Sequence, residues 1–259
     1  MNKIVNSADS STLKGGLHIV VVGASGGIGR ALIDQLLQNK TVAKIYGLSR
    51  TEYKPECINA TAATSPIYQH LVIDYEDEHT IKCAVEQITQ KVDQVIVATG
   101  FLHNQHIRPE KTFKQVTSDN LLQNMLVNVV GPSLIAKHFL PMLRTDRKTV
   151  FAALSARVGS ISDNQLGGWY SYRSSKAALN MMIKTFSVEL KRVQPQTVMI
   201  GLHPGTVDTG LSKPFQRNVA PNQLFAREYS AQCLLNVIDD VTVDDSGYCF
   251  AWDGKRIAE

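Results

Sequence analysis

Short runs of β-branched and aliphatic residues alternate along this chain with longer stretches whose apolar positions recur at helical spacing. The apolar runs predict strands at Leu17–Val22, Ala43–Leu48, His70–Ile73, Gln94–Ala98, Thr149–Leu154, Thr197–Leu202 and Gly247–Ala251. Several are apolar throughout, the pattern of strands covered by helices on both faces. The periodic stretches predict helices over 27–39, 78–91, 117–144, 170–193 and 226–238. Alternation of the two gives repeated βα units, hence an α/β fold: a single doubly wound domain around a parallel sheet. One stretch, about 203–225, breaks the rhythm and holds Pro204, Pro214 and Pro221. An irregular segment of that length in a compact domain reads as a substrate loop or lid.

Composition narrows the classes. The 259 residues are enough for one large core, and 44% hydrophobic with 19% charged residues is ordinary for a soluble globular protein. Residues 1–16 are polar and lack the apolar core of a secretory signal, so they read as a flexible N-terminal extension to a domain at 17–259. The net charge of +4 suits an anionic ligand, but Lys and Arg are scattered and form no basic stripe, which argues against nucleic acid. Uninterrupted apolar runs such as Ile19–Val22 are far too short to cross a bilayer, so no membrane is expected. Cys57, Cys83, Cys233 and Cys249 lie far apart with no C-x-x-C pair, as expected of reduced thiols in a cytoplasmic protein. No His pair has metal-ligand spacing, and no metal is expected.

Chemistry enters at the first strand end, where Gly23-Ala24-Ser25-Gly26-Gly27-Ile28-Gly29 leads into a periodic helix. Glycines at this spacing permit a tight turn and let the backbone approach a pyrophosphate, to which the helix N-terminus offers unpaired N–H groups. A plain glycine-rich βα turn is the other reading, and strand before with helix after favours the phosphate site. The second strand ends at Leu48-Ser49-Arg50, without the acid that grips ribose hydroxyls in NAD-type sites. Arg50, helped by the Ser49 hydroxyl, can pair with a 2′-phosphate instead, so NADP(H) is expected over NAD(H); a solvated surface arginine is the alternative.

Tyr172 and Lys176 stand four apart and share one face of a helix. A tyrosine titrates near ~10, too high for easy proton exchange at neutral pH. A nearby ammonium and an oxidised nicotinamide both favour the phenolate, and a lowering of about three units takes roughly 4 kcal/mol. The phenol then serves as acid or base at a substrate oxygen. Pro132 adds an independent sign: it has no N–H to give the carbonyl of Asn128, four residues earlier. That carbonyl, left free inside a helix, is a natural water site, unless the proline marks only a kink.

Gly23-x-x-x-Gly27-x-Gly29, Asn128 in Val127-Asn128-Val129-Val130-Gly131, Tyr172-x-x-x-Lys176 and His203-Pro204-Gly205 together resemble the short-chain dehydrogenase/reductase family over residues 17–254. Arg157–Asn164 with Gly167-Gly168-Trp169-Tyr170 resembles its C-factor-like carbonyl reductase branch, which includes a cell–cell signalling protein. The resemblance implies a Rossmann fold of about seven parallel strands and hydride exchange with a nicotinamide dinucleotide. It implies Tyr172 as acid/base, Lys176 as ribose ligand that lowers the tyrosine pKa, and Asn128 as a fourth catalytic member acting through a bound water. Around the cofactor it places Gly23, Ser25, Gly26, Gly27, Ile28 and Gly29 at the phosphates, and Asp74 at the adenine. Val97, Ala98, Thr99 and Gly100 would flank the adenosine ribose, and Val207 and Thr209, after Pro204 and Gly205, would hold the carboxamide. It also implies a homodimer or homotetramer, commonly assembled through helices like 117–144 and 170–193.

Two departures stand out. The family's serine, three residues before a glycine, falls here on Ala156, with Ser155 one place early; Ser155 at a bulged strand end, Ser160, or neither would then face the substrate oxygen. Val97 and Ala98 replace the paired asparagines common after the fourth strand. His103 and His106 are either cleft-lining or solvated loop residues, and Trp169, Tyr170, Phe215 and Phe225 flank the expected cleft and lid. The sequence therefore supports an NADP(H)-dependent reductase of an aldehyde or ketone, with the alcohol oxidised in reverse, or a dinucleotide-binding sensor with little turnover. An extended sugar epimerase is disfavoured, because the C-terminal part is too short for a sugar-binding domain.

Overall fold

The computed structural model describes residues 16–55 and 67–259. Cys57 and nearly all of the N-terminal extension lie outside them. Seven strands form one sheet: β1 (Leu17–Val22), β2 (Val42–Ser49), β3 (Ile67–Val72), β4 (Gln94–Val97), β5 (Thr149–Leu154), β6 (Thr197–His203) and, after two short strands described below, β9 (Cys249–Ala251). Their order is β3-β2-β1-β4-β5-β6-β9, and every neighbouring pair is parallel. The chain starts in the middle, winds to one edge, returns to β4 and winds to the other. This leaves a crevice where the winding direction reverses, between the carboxyl ends of β1 and β4.

Side chains alternate across the strands, so each strand feeds two cores. Val20, Val22, Val95, Val97, Phe151 and Met199 face one way, onto α2 (Glu78–Glu86), α4 (Gly131–Phe139) and α5 (Tyr170–Val193). Ile19, Val21, Ile96, Val150 and Val198 face the other, onto α1 (Gly27–Leu36) and α6 (Arg227–Asp240). Register then levels the strand ends: Val22 pairs with Val97, Val97 with Ala153, and Leu154 with Leu202. The residues following each strand open at the same height.

Several boundaries differ from the sequence pattern, for physical reasons. β3 begins at Ile67, earlier than its apolar run suggested, because this edge strand is held by its ladder to β2 and tolerates the polar Gln69 and an exposed Val72. The helix over 117–144 is broken into α3 (Ser118–Met125), a π turn (Leu126–Val130), α4 and a short 3₁₀ turn (Leu140–Met142). Gly131 N–H reaches back to Leu126 O, five residues away, just before Pro132. Among the described residues, this continuous run is the one helix long and apolar enough, by length and composition, to cross a membrane. Here it is a layer of the fold, with Asn124, Asn128, Ile135, Ala136 and Phe139 buried. The irregular 203–225 stretch contains β7 (Thr206–Val207) and β8 (Leu224–Phe225), paired in parallel, with 3₁₀ turns at Lys213–Asn218 and Pro221–Gln223 between them.

Candidate active site

The glycine turn is lashed to the sheet by its own backbone. Gly23, at φ +85°, and Ala24 both donate N–H to Leu48 O, at 2.7 and 3.1 Å, and Gly26 N–H closes onto Gly23 O at 2.9 Å. A Cβ on Gly29 would overlap Gly23 O, so only glycine lets α1 start this close to the turn. No side chain caps α1 and no acid lies in its first turn, which leaves its leading N–H groups to an anion. Ser25 is partly exposed and Gly26 exposed on that surface. A Cβ on Gly27 would sit 2.7 Å from Thr209 Cγ2 and 3.2 Å from Arg227 Cδ. Thr209 from the loop and Arg227 from the first turn of α6 thus lean on the same turn. These features fit a pyrophosphate. Arg227 was missed in the sequence because its proximity depends on α6 packing beside α1.

At the end of β2, Arg50 is exposed. Ser49 is buried, and its hydroxyl donates to Thr51 O at 2.7 Å and bonds His70 Nε2 at 3.0 Å. The Ser49 hydroxyl, expected to help hold a phosphate, is thus already engaged with Thr51 and His70. Asp74 follows β3 half-buried, its Oδ1 accepting Glu76 N–H at 3.1 Å. Ala98, Thr99 and Gly100 follow β4, and Thr99 Oγ1 is hydrogen-bonded to Tyr75 Oη at 2.9 Å. Tyr75 itself packs against Gly131, where any Cβ would overlap its ring. That tyrosine bridges β3, β4 and α4, a brace between strand ends where paired asparagines are missing.

Tyr172 and Lys176 lie in the first two turns of α5, both buried, at 9% and 2% exposure. Lys176 Nζ donates to Leu154 O at 2.8 Å and lies 5.7 Å from the Tyr172 ring centre. A Cβ on Gly100 would stand 3.8 Å from that Nζ and 3.9 Å from Asn128 Oδ1, so amine, amide and the β4 exit converge. Burial holds the Lys176 amine down to about 7 and pushes the Tyr172 phenol up. Desolvation is what raises the phenol, so a further positive charge is needed to favour the phenolate. Asn128 is fully buried. Its Nδ2 lies within hydrogen-bonding distance of Phe101 O (2.8 Å), Ser175 Oγ (3.0 Å) and Asn124 Oδ1 (3.3 Å), two protons shared among three acceptors, and its Oδ1 accepts Phe101 N–H (2.8 Å). The side chain thus pins the β4 exit to α5.

The serine hydroxyls are engaged outside this group, although Ser155 directly follows the Leu154 carbonyl that Lys176 binds. Ser155 Oγ donates to Asn180 Oδ1 at 2.6 Å, and Cys249 Sγ donates to the same oxygen at 3.1 Å. Ser160 Oγ accepts Asp163 N–H at 3.1 Å and lies 3.5 Å from Ser162 Oγ. Asn180, four residues beyond Lys176 on the same face of α5, went unnoticed in the sequence although that spacing would have found it. Pro204 and Gly205 turn out of β6 at Gly205 φ +79°, with Phe225 filling the space where a Cβ would go, 2.5 Å away. Val207 is buried in β7 and its carbonyl accepts Ser212 Oγ–H at 2.5 Å. Over the cleft, Phe215 lies 5.2 Å from Trp169 and 5.4 Å from His103, and Trp169 lies 6.1 Å from Tyr172. His103 Nε2 also donates to Leu211 O at 3.1 Å, tying the β4 exit to the loop, whereas His106 is exposed.

A parallel sheet with an anion-ready turn at its switch point, facing a buried Tyr/Lys pair, defines a dinucleotide-dependent oxidoreductase. The sequence profile of the short chain dehydrogenases matches residues 17–220, and the chain belongs to that family. It is an NAD(P)-dependent dehydrogenase/reductase. It is 33% identical to the C-signal of Myxococcus xanthus over 138 residues, 53% of this chain and 78% of that protein. A benzil reductase ((S)-benzoin forming) of Bacillus cereus is 22% identical over 241 residues, covering 86% of this chain and 94% of the relative. In three dimensions the chain is similar to an NADPH-bound carbonyl reductase from chicken fatty liver, at TM-score 0.80 and 22% identity, over 94% of this chain and 99% of the other.

Proposed function

We propose that the protein is an NADPH-dependent reductase of a small aldehyde or ketone, able to oxidise the alcohol in reverse, with Tyr172 as the proton donor. The observation that carries this reading is the convergence of Tyr172, Lys176 and Asn128 beside the β4 exit, within the crevice that the glycine turn opens. Gly23, Ser25, Gly26, Gly27, Ile28 and Gly29 hold the pyrophosphate, Arg50 the 2′-phosphate and Asp74 the adenine. Ala98, Thr99 and Gly100 line the ribose side, and Pro204, Gly205, Val207 and Thr209 the nicotinamide side. The bound nicotinamide supplies or takes up the hydride. Tyr172 Oη gives its proton to the substrate oxygen, and Lys176 Nζ, held by Leu154 O, steadies the phenolate that remains. Asn128 fixes the β4 exit and α5 relative to each other, so that the proton donor meets a defined surface. The ring cluster of Trp169, Phe215 and His103 walls off an apolar, aryl-tolerant cleft, and the benzil reductase relative supports aromatic diketones as substrates.

A second reading, a dinucleotide-bound sensor with little turnover, is favoured by one observation: Ala156 stands at the family's serine position while Ser155 and Ser160 spend their hydroxyls elsewhere. NADPH oxidation with a panel of aldehydes, ketones and diketones, comparing the wild type with Tyr172→Phe, separates the two. Turnover reduced 100-fold or more by the substitution is expected of the reductase. Tight NADPH binding with no turnover on any compound supports the sensor.

Assembly is proposed as a homodimer or homotetramer through α3 and α5, whose Leu122, Met181, Val188 and Val193 are exposed. Free Cys83, Cys233 and Cys249 support a reducing, cytoplasmic setting.

A further inference from the structure

Between β4 and α3 the chain leaves the crevice and dips back under the start of α5, burying the carboxylate of Glu110 at 2% exposure. Among the described residues no Lys or Arg pairs with it. Its Oε1 instead accepts the Ser171 hydroxyl, in a short hydrogen bond, and Asn120 Nδ2 at 3.2 Å, while Oε2 accepts Ser171 N–H at 3.2 Å. The Glu110 carbonyl accepts Trp169 N–H at 2.6 Å. Burial pushes this carboxyl up, but the bonds from Ser171 and Asn120 outweigh it and hold the group below its ordinary value, so it is charged at neutral pH. A negative charge here also complements the positive end of the α5 dipole.

The segment it grips is unusual. Gly167, Gly168 and Trp169 follow one another at φ +62°, +67° and +53°, and left-handed backbone is disfavoured for a residue with a side chain. Trp169 nevertheless caps α5 with no side-chain bond of its own. Arg173 holds the same entry from the other side, its Nε donating to Gly168 O at 3.0 Å and Gly167 O at 3.2 Å. Tyr172 comes one residue after Ser171, inside the turn that Glu110 secures.

We propose that Glu110 is a positioning residue for Tyr172: its buried carboxylate sets the first turn of α5, and through it the placement of the phenol and of the Trp169 ring in the substrate cleft. The proposal rests on the reductase reading for its kinetic consequence, but its structural half does not need turnover. Glutamine has nearly the same shape but offers one acceptor oxygen where Ser171 presents two donors, so Glu110→Gln disturbs the clamp without opening a cavity.

Two measurements on Glu110→Gln test it: steady-state kinetics with NADPH, and amide hydrogen exchange followed by peptide. A fall in kcat of about tenfold or more, with the NADPH Kd within about twofold of wild type and faster exchange confined to 167–176, is expected. Unchanged kcat in an active enzyme, or unchanged exchange in that peptide, overturns the proposal. Should the wild type bind NADPH yet reduce nothing, the reductase reading falls, and exchange alone decides on the clamp by the same criterion. Should Glu110→Gln not fold, Ser171→Ala removes one donor and leaves the carboxylate; the same two readings then decide, with a kcat loss of about threefold or more expected.

Discussion

Lys176 carries an amine into a site dry enough to hold it down to about 7, in a chain whose unfolded form would titrate near ~10.4. Between those values the unfolded chain binds a proton that the folded chain does not, so stability contributed by this group rises with pH from about 7 to about 10. Tyr172, raised by burial, acts oppositely only above the ordinary phenol range. Lys176→Met should therefore stabilise the cofactor-free protein at pH 6–7 by a few kcal/mol at most, with the gain shrinking as pH climbs. Urea midpoints at several pH values check this, and a pH-independent difference would contradict it. Arg50→Asp should weaken NADPH binding by tenfold or more while changing NADH binding little, and titration calorimetry with both nucleotides reads the difference. At this scale the Tyr172/Lys176 pair was legible because helical spacing is local. Glu110 and Arg227 were not, because what each does is fixed by an element distant in sequence, whereas Asn180 was open to the same spacing rule and was passed over. Ser49 was read as a ligand from its position alone, and its partner His70 lies on a neighbouring strand.

The helical run from Ser118 to Met142 shows how a local rule can foresee a defect without its form. Pro132 announced a missing hydrogen bond, and the backbone answered with a π turn, Gly131 N–H reaching Leu126 O. The wider turn sets Asn128 against Phe101, where its amide closes a reciprocal pair with that residue's N–H and C=O. Asn128→Ala would leave the part-buried N–H and C=O of Phe101 unpaired. A loss of about 3 kcal/mol, and on the order of 10 °C in Tm, is expected by calorimetry together with a fall in kcat. Gly131→Ala should cost about 1–3 kcal/mol by forcing Tyr75 aside, and should loosen the Tyr75–Thr99 link with it. Five-residue turns leave no mark in apolar periodicity, and neither do β7 and β8, whose pairing joins the two ends of a proline-bearing loop.

For the molecule as a whole, the alternation of strands and helices was enough to give the class of fold and the approximate place of all seven strands, the inner ones because a strand covered on both faces is largely apolar. Edge strands escaped that logic, as β3 shows. The exposed apolar side chains of α3 and α5 belong to this scale too. A Met181→Lys/Val188→Lys double variant should sediment at a lower mass than wild type while keeping the wild-type far-ultraviolet circular dichroism; equal masses would remove those residues from the interface.

The level carboxyl ends of the strands also make the two rims of the sheet unequal in evolution. Lengthening the chain by one residue just after Val22, Val97 or Leu154 would carry a neighbouring group out of alignment by a full residue rise, about 3.3 Å. At the opposite rim, exposed loop positions such as Lys40 and Asp146 line no part of the candidate site. Natural drift in length, and any tag or graft a designer wishes to add, should accumulate on that side.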